Sequence, residues 1–365
     1  TFCNLGEVAD FACCSSIFTT MSKILCLLSL VVLLLGADAS PLSSIKLGLQ
    51  RFVNKVAGSN NKKRTDGELK SGIAKLYDDS TGIWLDVWGE DLHHGYYPSK
   101  DYKDHKAAQV DMIDRSLEWA YTDGKGDRAH DQSILQAALH RMKAFVDVGC
   151  GVGGSSRHIA RKYGRQGLKG FGISLSPYQI ERASKFTAAA NLTDTLEYKV
   201  ADAMNMPFKD NSFDLVWSME SGEHMPNKLN FMKELYRVAA PGGRVLVVTW
   251  CHRELKPDEK GLTPSELKLL GKINDAYYLP DWVPGSQYVE IAQQLGLKDV
   301  RMTDWSQQVA PFWPAVMKSI LQPRNLFRLL LASPPTTIRG AMASWWMLQG
   351  ARKGLVKFVL ITGKK

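Results

Sequence analysis

Cysteine is scarce where this chain folds. Six occur in 365 residues, and Cys3, Cys13, Cys14 and Cys26 precede the region that reads as globular. Cys150 and Cys251 remain. They supply neither a disulfide framework nor the spacing of a metal site, so no metal is expected and a reduced working compartment is. Acids are absent from residues 40–65. Concentrated positive charge is missing too. Of the formal net charge of +9, the first 65 residues hold +4, seven basic against three acidic side chains. The rest is spread over a large domain. There is no zinc-finger or RNA-binding signature, no basic stripe, and no Asn/Asp-Pro-Pro-Tyr run of the base methylators, so nucleic acid is not an expected partner. Internal repeats and low-complexity blocks are absent from the folded part.

What is present begins with a leader. Residues 1–20 lack a methionine and show no pattern, and Met21 reads as the start. Lys23 is a short basic head, and residues 24–35 form an apolar run too short to span a bilayer comfortably. Ala37-Asp38-Ala39 places small residues where a signal peptidase inspects them. Residues 21–39 therefore read as a signal peptide, with an uncleaved anchor as the alternative. In residues 40–65, Ile45, Leu49, Phe52, Val53 and Val56 fall near one helical face among Ser, Lys and Arg. That composition fits a transit-peptide-like segment, or a basic linker. A plastid reached through both signals is the expected location, with the ER or secretory lumen as the alternative.

From residue 66 the chain becomes mixed. Helical patterns over 73–86, 106–122 and 131–140 precede a regular alternation. Strands are expected at 144–148, 170–175, 196–201, 213–219 and 243–250, with helices at 155–163, 177–190 and 228–238. Two further strands are expected at 298–304 and 355–362. This predicts an α/β fold with a doubly wound, mostly parallel sheet. Residues 66–143 then read as an N-terminal helical cover. Residues 144–365 form the main domain, with a lid or cap near 254–295 and 308–350.

The chemistry gathers at the strand ends, where such sheets bind ligands. Val146-Asp147-Val148 is a buried strand carrying an acid, followed by Gly149, Gly151, Gly153 and Gly154, then Ser155 and Ser156, which can cap a helix. Strand, glycine turn and helix start make a nucleotide-type cofactor site. A dinucleotide fold would place an acid about twenty residues on for the ribose. Here the second strand ends in Ser174-Leu175 with no acid, and Gln179 follows. The pattern suits S-adenosylmethionine better than NAD, with Asp147 attracting the methionyl ammonium. The third strand end offers Asp202 and Ala203 to an adenine, with Met204 and Met206 on its face or in the core. The fourth, Trp217-Ser218-Met219-Glu220-Ser221-Gly222-Glu223-His224, is dense in ionisable groups and is the leading reaction centre. The fifth ends in His252, a second base or a structural residue. Cys251 beside it suits packing.

These residues resemble the class I S-adenosylmethionine-dependent methyltransferases, and among them the γ-tocopherol methyltransferases. The glycine run, the stretch 217–226 and Val248-Thr249-Trp250-Cys251-His252-Arg253 carry the likeness. Asp275-Ala276-Tyr277-Tyr278-Leu279-Pro280 and Val309-Ala310-Pro311-Phe312-Trp313-Pro314-Ala315 extend it. It covers roughly residues 76–364. The resemblance implies a seven-stranded Rossmann-like sheet and methylation of a chromanol ring carbon. It implies cofactor contacts at Tyr77, Asp147, Gly149, Gly151, Gly153, Ser174, Leu175, Gln179, Asp202, Ala203 and Ser218, and a base among Glu223, His224 and His252. His93-His94-Gly95-Tyr96-Tyr97 looks like that family's entry segment over the cofactor, and Tyr77 by the same likeness reaches the methionyl carboxylate. The acceptor would be a prenylated phenol. Phe312, Trp313, Trp345, Trp346 and Met347, interleaved with Arg324, Arg328 and Arg339, suit a cap that touches an anionic membrane surface or an ordinary helical subdomain.

Overall fold

The apolar runs build the sheet, and the order in which they pair builds the site. The computed structural model describes residues 64–99, 101–102, 104–122, 128–313 and 334–365, all within one compact unit, Ser59–Lys365. The leader readings for residues 1–63 lie outside the described residues.

Three helices come first: α1 (Asp66–Trp88), α2 (His105–Tyr121) and α3 (Arg128–His140). Thr65 starts α1 with a reciprocal cap, its hydroxyl accepting from the Glu68 N–H while Glu68 accepts from the Thr65 N–H. Then β1 (Ala144–Val148), α4 (Gly154–Tyr163), β2 (Lys169–Ser174), α5 (Pro177–Ala189) and β3 (Leu196–Val200) alternate. They are followed by β4 (Phe213–Met219), a 3₁₀ turn Gly222–His224, α6 (Lys228–Val238) and β5 (Ala239–His252). The chain ends with α7 (Pro264–Tyr277), α8 (Gly285–Gln294), β6 (Lys298–Asp304), the short α9 (Ser306–Val309), α10 (Pro334–Arg352) and β7 (Val356–Lys364). Thr263 and Glu266 cap α7 as Thr65 and Glu68 cap α1, with Pro264 in the first turn.

The sheet has seven strands in the order β3-β2-β1-β4-β5-β7-β6. β1 to β5 pair in parallel, while β7 runs antiparallel to both β5 and β6. Chain order reverses between β1 and β4, so the crevice of the doubly wound sheet opens at their carboxyl ends. Apolar clusters cover both faces. Phe145, Trp217 and Leu246 pack on one side, and Val146, Val216 and Phe231 on the other. That alternation along β1 and β4 is why these strands are mostly apolar, with Asp147, Asp214 and Ser218 as the exceptions. No helix among the described residues is long and apolar enough to cross a membrane.

Candidate active site

β1 delivers the chain to a loop that only glycine can trace. Gly149, Gly151 and Gly153 take φ of +85°, +53° and +79°. A Cβ on Gly149 would lie 2.3 Å from the Ser221 Cβ, so the loop after β1 and the loop after β4 touch with no side chain between them. Gly153 is itself the N-cap of α4, without a side-chain cap. Ser155 and Ser156 therefore do not cap the helix; the left-handed Gly153 already turns the chain. Ser156 Oγ instead donates to Asp147 Oδ2 at 2.6 Å.

The cavity over this loop is lined by Asp147, Gly149, Gly151, Ser174, Leu175, Gln179, Asp202 and Ala203. Asp147 is 2 % exposed. Burial pushes its carboxyl up to about 7, against the hydrogen bonds from Ser156 and the charge of Arg157. A buried acid poised in this way is matched by a ligand cation. Ser174 Oγ donates to Gln179 Oε1 at 2.8 Å, so hydroxyl and amide stand where a dinucleotide site would hold an acid. Ser176 caps α5, with Pro177 in the first turn. Asp202 accepts from the Met204 N–H and pairs with Lys70 Nζ at 2.6 Å. The roof of the cavity is one face of α1: Leu69, Lys70, Ile73, Ala74 and Tyr77.

A second cavity lies alongside, and the two share Tyr77, Leu92, His93, Glu220 and His224. Its walls are aromatic and apolar: Trp84, Trp250, Tyr277, Trp282, Phe312, Trp313 and Met347. The next turns of α1, with Leu76 and Ser80, roof it as well. Trp313 and Met347 come from the expected cap. Arg324, Arg328 and the side chain of Arg339 lie outside the described residues.

Polar groups in this apolar chamber are few and held in place. Glu220 sits at the tip of β4 with φ +50°. Its carboxylate accepts from the His94 N–H at 2.6 Å, from His94 Nδ1 at 2.7 Å and from Trp250 Nε1 at 3.2 Å. Burial alone would raise this carboxyl, but His94 outweighs it and holds the group below the usual carboxylate range. Glu223 accepts from Thr249 Oγ1 at 2.7 Å. Burial, and then the nearby Glu220 charge, push the Glu223 carboxyl up to about 7. His224 Nε2 lies 3.0 Å from Tyr77 Oη, and burial pulls its ring down to about 4, so it is neutral near pH 7. His93 donates through Nδ1 to the His94 carbonyl at 2.9 Å, which leaves its Nε2 as a bare lone pair. Eight buried side-chain nitrogens and oxygens lack a partner among the described residues. Four of them, His93 Nε2, His94 Nε2, His224 Nδ1 and Trp313 Nε1, belong to residues lining this chamber. An orphan of this kind costs about 1–3 kcal/mol, so their concentration here marks a place for polar ligand atoms.

The expected site residues sort accordingly. Ten of them line the first cavity, Tyr77 and His224 among them lining both: Tyr77, Asp147, Gly149, Gly151, Ser174, Leu175, Gln179, Asp202, Ala203 and His224. Glu223 lines the aromatic chamber alone. Gly153 and Ser218 support the loop from behind. Ser218 bonds Ser221 Oγ at 2.7 Å, and Ser221 donates to the Val148 carbonyl at 2.8 Å. His252 is not brought in. It lies on a separate groove with Leu255 and Asp275, its Nδ1 donating to the Arg253 carbonyl at 2.6 Å. Glu220, His94, Lys70 and Thr249 enter the site without having been assigned a role there, although Glu220 lies in the dense strand end and His94 in the entry segment. Their partners stand 26 to 132 positions away in the chain.

A doubly wound sheet with β7 reversed, a glycine loop at its switch point and a buried acid in β1 define a class I S-adenosylmethionine-dependent methyltransferase. The residues present fit that cofactor: an acid for its ammonium, a glycine-rich loop for its body, and Ser174 with Gln179 at the ribose end. Residues 146–247 match the family model described as "Methyltransferase domain". A protein of Oryza sativa subsp. japonica, described as "Probable tocopherol O-methyltransferase, chloroplastic", is 51% identical over 300 residues, 81% of this chain and 78% of the relative. The "Tocopherol O-methyltransferase, chloroplastic" of Arabidopsis thaliana is 46% identical over 302 residues, 81% of this chain and 82% of the relative. The chain belongs to this tocopherol O-methyltransferase family. Among solved structures, the cyclopropane synthase MmaA2 from Mycobacterium tuberculosis shares the fold at a TM-score of 0.65 and 16% identity, over 81% of this chain and 98% of that one.

Proposed function

We propose that the chain methylates the chromanol ring carbon beside the phenolic hydroxyl of γ-tocopherol, and of δ-tocopherol second, inside a plastid. One observation carries this reading. An anchored carboxylate, Glu223, stands in an aromatic chamber that opens onto the cofactor cavity. The relatives' names, tocopherol methyltransferases of the chloroplast, supply the acceptor class and the compartment. A prenylated phenol needs both an apolar chamber and one base. Burial in such walls stabilises the tail by roughly 0.8 kcal/mol per CH₂.

Bound S-adenosylmethionine supplies an electrophilic methyl group. The chain's task is to align and activate the acceptor. Phenols ionise near pH ~10, so only about 0.1% is phenolate at neutral pH, and the ring carbon is a weak nucleophile until the proton leaves. Glu223 takes that proton. Its raised pKa places it near the working pH, where a base is both available and strong enough to act, and a positioned base contributes ~10²–10⁴-fold. Glu220 stays ionised at the junction of the two cavities, where its negative charge favours a cationic donor. Neutral His224 and Tyr77 line the same passage. The aromatic walls hold the ring and exclude water, and alignment supplies much of the remaining rate.

The test offers the chain methyl-labelled S-adenosylmethionine with γ-tocopherol, a prenyl-benzoquinol, a sterol and an indole amine in parallel. Label appears on the chromanol ring carbon. With S-adenosylmethionine saturating at every pH, Glu223→Gln lowers kcat/KM by about 10²-fold or more and removes the acid limb of the pH profile near 7. His252→Asn stays close to wild type. Label on another acceptor alone would overturn the tocopherol reading. Cofactor binding without transfer to any acceptor would favour a protein that holds the cofactor without turnover.

A further inference from the structure

The turn that carries Glu223 and His224 rests on a lysine that the mechanism above does not use. Lys228 is the first residue of α6, an end where the helix dipole disfavours a cation. Such a breach of a local rule calls for a compensating role. Its side chain does not snorkel to solvent; the residue is 6% exposed. It folds back beneath the turn and donates to the carbonyls of Gly222 at 2.9 Å, Glu223 at 3.0 Å and Met225 at 2.7 Å. An ammonium has three protons, and here three carbonyls take them. Tyr288 Oη adds a fourth tie, donating to the Gly222 carbonyl at 3.0 Å. The turn is thereby fixed from below, with Glu223 in the acceptor chamber and His224 at the junction.

A lysine buried among neutral carbonyls is costly unless a negative charge lies near. Glu223 is that charge. Other groups also bear on Glu223. Glu220, from the tip of β4, opposes its ionisation, while Thr249 of β5 donates to it. Tyr77 of α1, Cys251 of β5 and Tyr288 of α8 face it, and burial keeps all three neutral near pH 7. His224 beside it on the turn is neutral too. Lys228 is the cation whose charge favours the ionised carboxylate.

We infer that Lys228 is a positioning residue for methyl transfer: its ammonium fixes the Gly222–Met225 turn by three hydrogen bonds, and its charge keeps the Glu223 carboxylate available as a base. The inference rests on Glu223 being that base.

The experiment measures kcat/KM for γ-tocopherol from pH 5.5 to 9 on the full chain, with S-adenosylmethionine saturating at every pH so that Asp147 adds no limb of its own, for wild type, Lys228→Met and Lys228→Arg. Methionine keeps the apolar stem and removes the charge. Its acid limb moves to higher pH, because a cation that favours the carboxylate is gone. Arginine keeps the charge, but its planar fork cannot meet three converging carbonyls. Its acid limb stays with the wild type while kcat falls. A limb that Lys228→Met leaves in place overturns the inference, whatever happens to rate or melting temperature. If Lys228→Met does not fold, Lys228→Arg decides: a shifted limb, or a kcat equal to wild type, overturns the inference. A wild type that turns over no chromanol, or turns it over without an acid limb, fails at the functional reading, and this appears before any variant is made.

Discussion

Acid should strip this protein of its cofactor well before it unfolds the sheet, and Asp147 sets the slope. Burial holds its carboxyl near 7 in the free protein. About half is ionised at pH 7, and about a hundredth at pH 5. A ligand ammonium needs the ionised form, so the apparent affinity scales with the ionised fraction. Kd should then rise about fiftyfold between pH 7 and pH 5, roughly 2.3 kcal/mol. The sign follows from the direction of the shift: the free fold favours the protonated acid and the complex favours the carboxylate. Affinity is therefore present above 7 and lost below it. Calorimetric titration with S-adenosylhomocysteine, which lacks the methyl group but keeps the amino-acid ammonium and carboxylate, measures this directly. Repeating it in two buffers of different ionisation enthalpy should show about half a proton released at pH 7. Asp147→Asn should bind weakly with no slope. A wild-type affinity flat from pH 7 to 5, or a slope that survives in Asp147→Asn, would refute the reasoning.

Gly149→Ala places a Cβ 2.3 Å from Ser221 at φ +85°, so it should destabilise the chain by about 1–3 kcal/mol and abolish cofactor binding; a melting curve and a titration like those of wild type would contradict this. Glu220→Gln leaves His94 without its carboxylate, and the lost charge-assisted bonds should cost about 1–3 kcal/mol, read as a lower thermal midpoint. Its turnover should fall as well, because the charge at the junction of the cavities is gone.

The sheet was readable because its signals are local. Apolar runs placed 144–148, 213–219 and 298–304 where the strands lie, and 228–238 where α6 lies. β5 begins at Ala239, four residues ahead of expectation, because the Pro241-Gly242-Gly243 stretch that reads as a turn is absorbed into the strand. The expected lid at 254–295 contains two helices, α7 and α8, of 14 and 10 residues. Where one strand end carries its own chemistry, as with Asp147 and Glu223, the residue lines a cavity, as the strand-end rule leads one to expect. Pairings between distant segments were not legible. Nothing near Glu220 announces that His94, 126 positions earlier, will hold it ionised. Asp202 reads as free for an adenine until Lys70 swings over it from α1. His252 shows the converse: a histidine beside the right strand end whose side chain falls on the wrong face.

α1 roofs both cavities with one continuous helix: Leu69, Ile73 and Tyr77 stand over the cofactor, and Leu76, Ser80 and Trp84 over the acceptor. A shared roof makes the two ligands mutually dependent. A displacement of α1 would disturb both chambers, so the occupant of one bears on the other through the same helix. By linkage the dependence runs both ways: whatever tightens the donor tightens the lipid to the same degree.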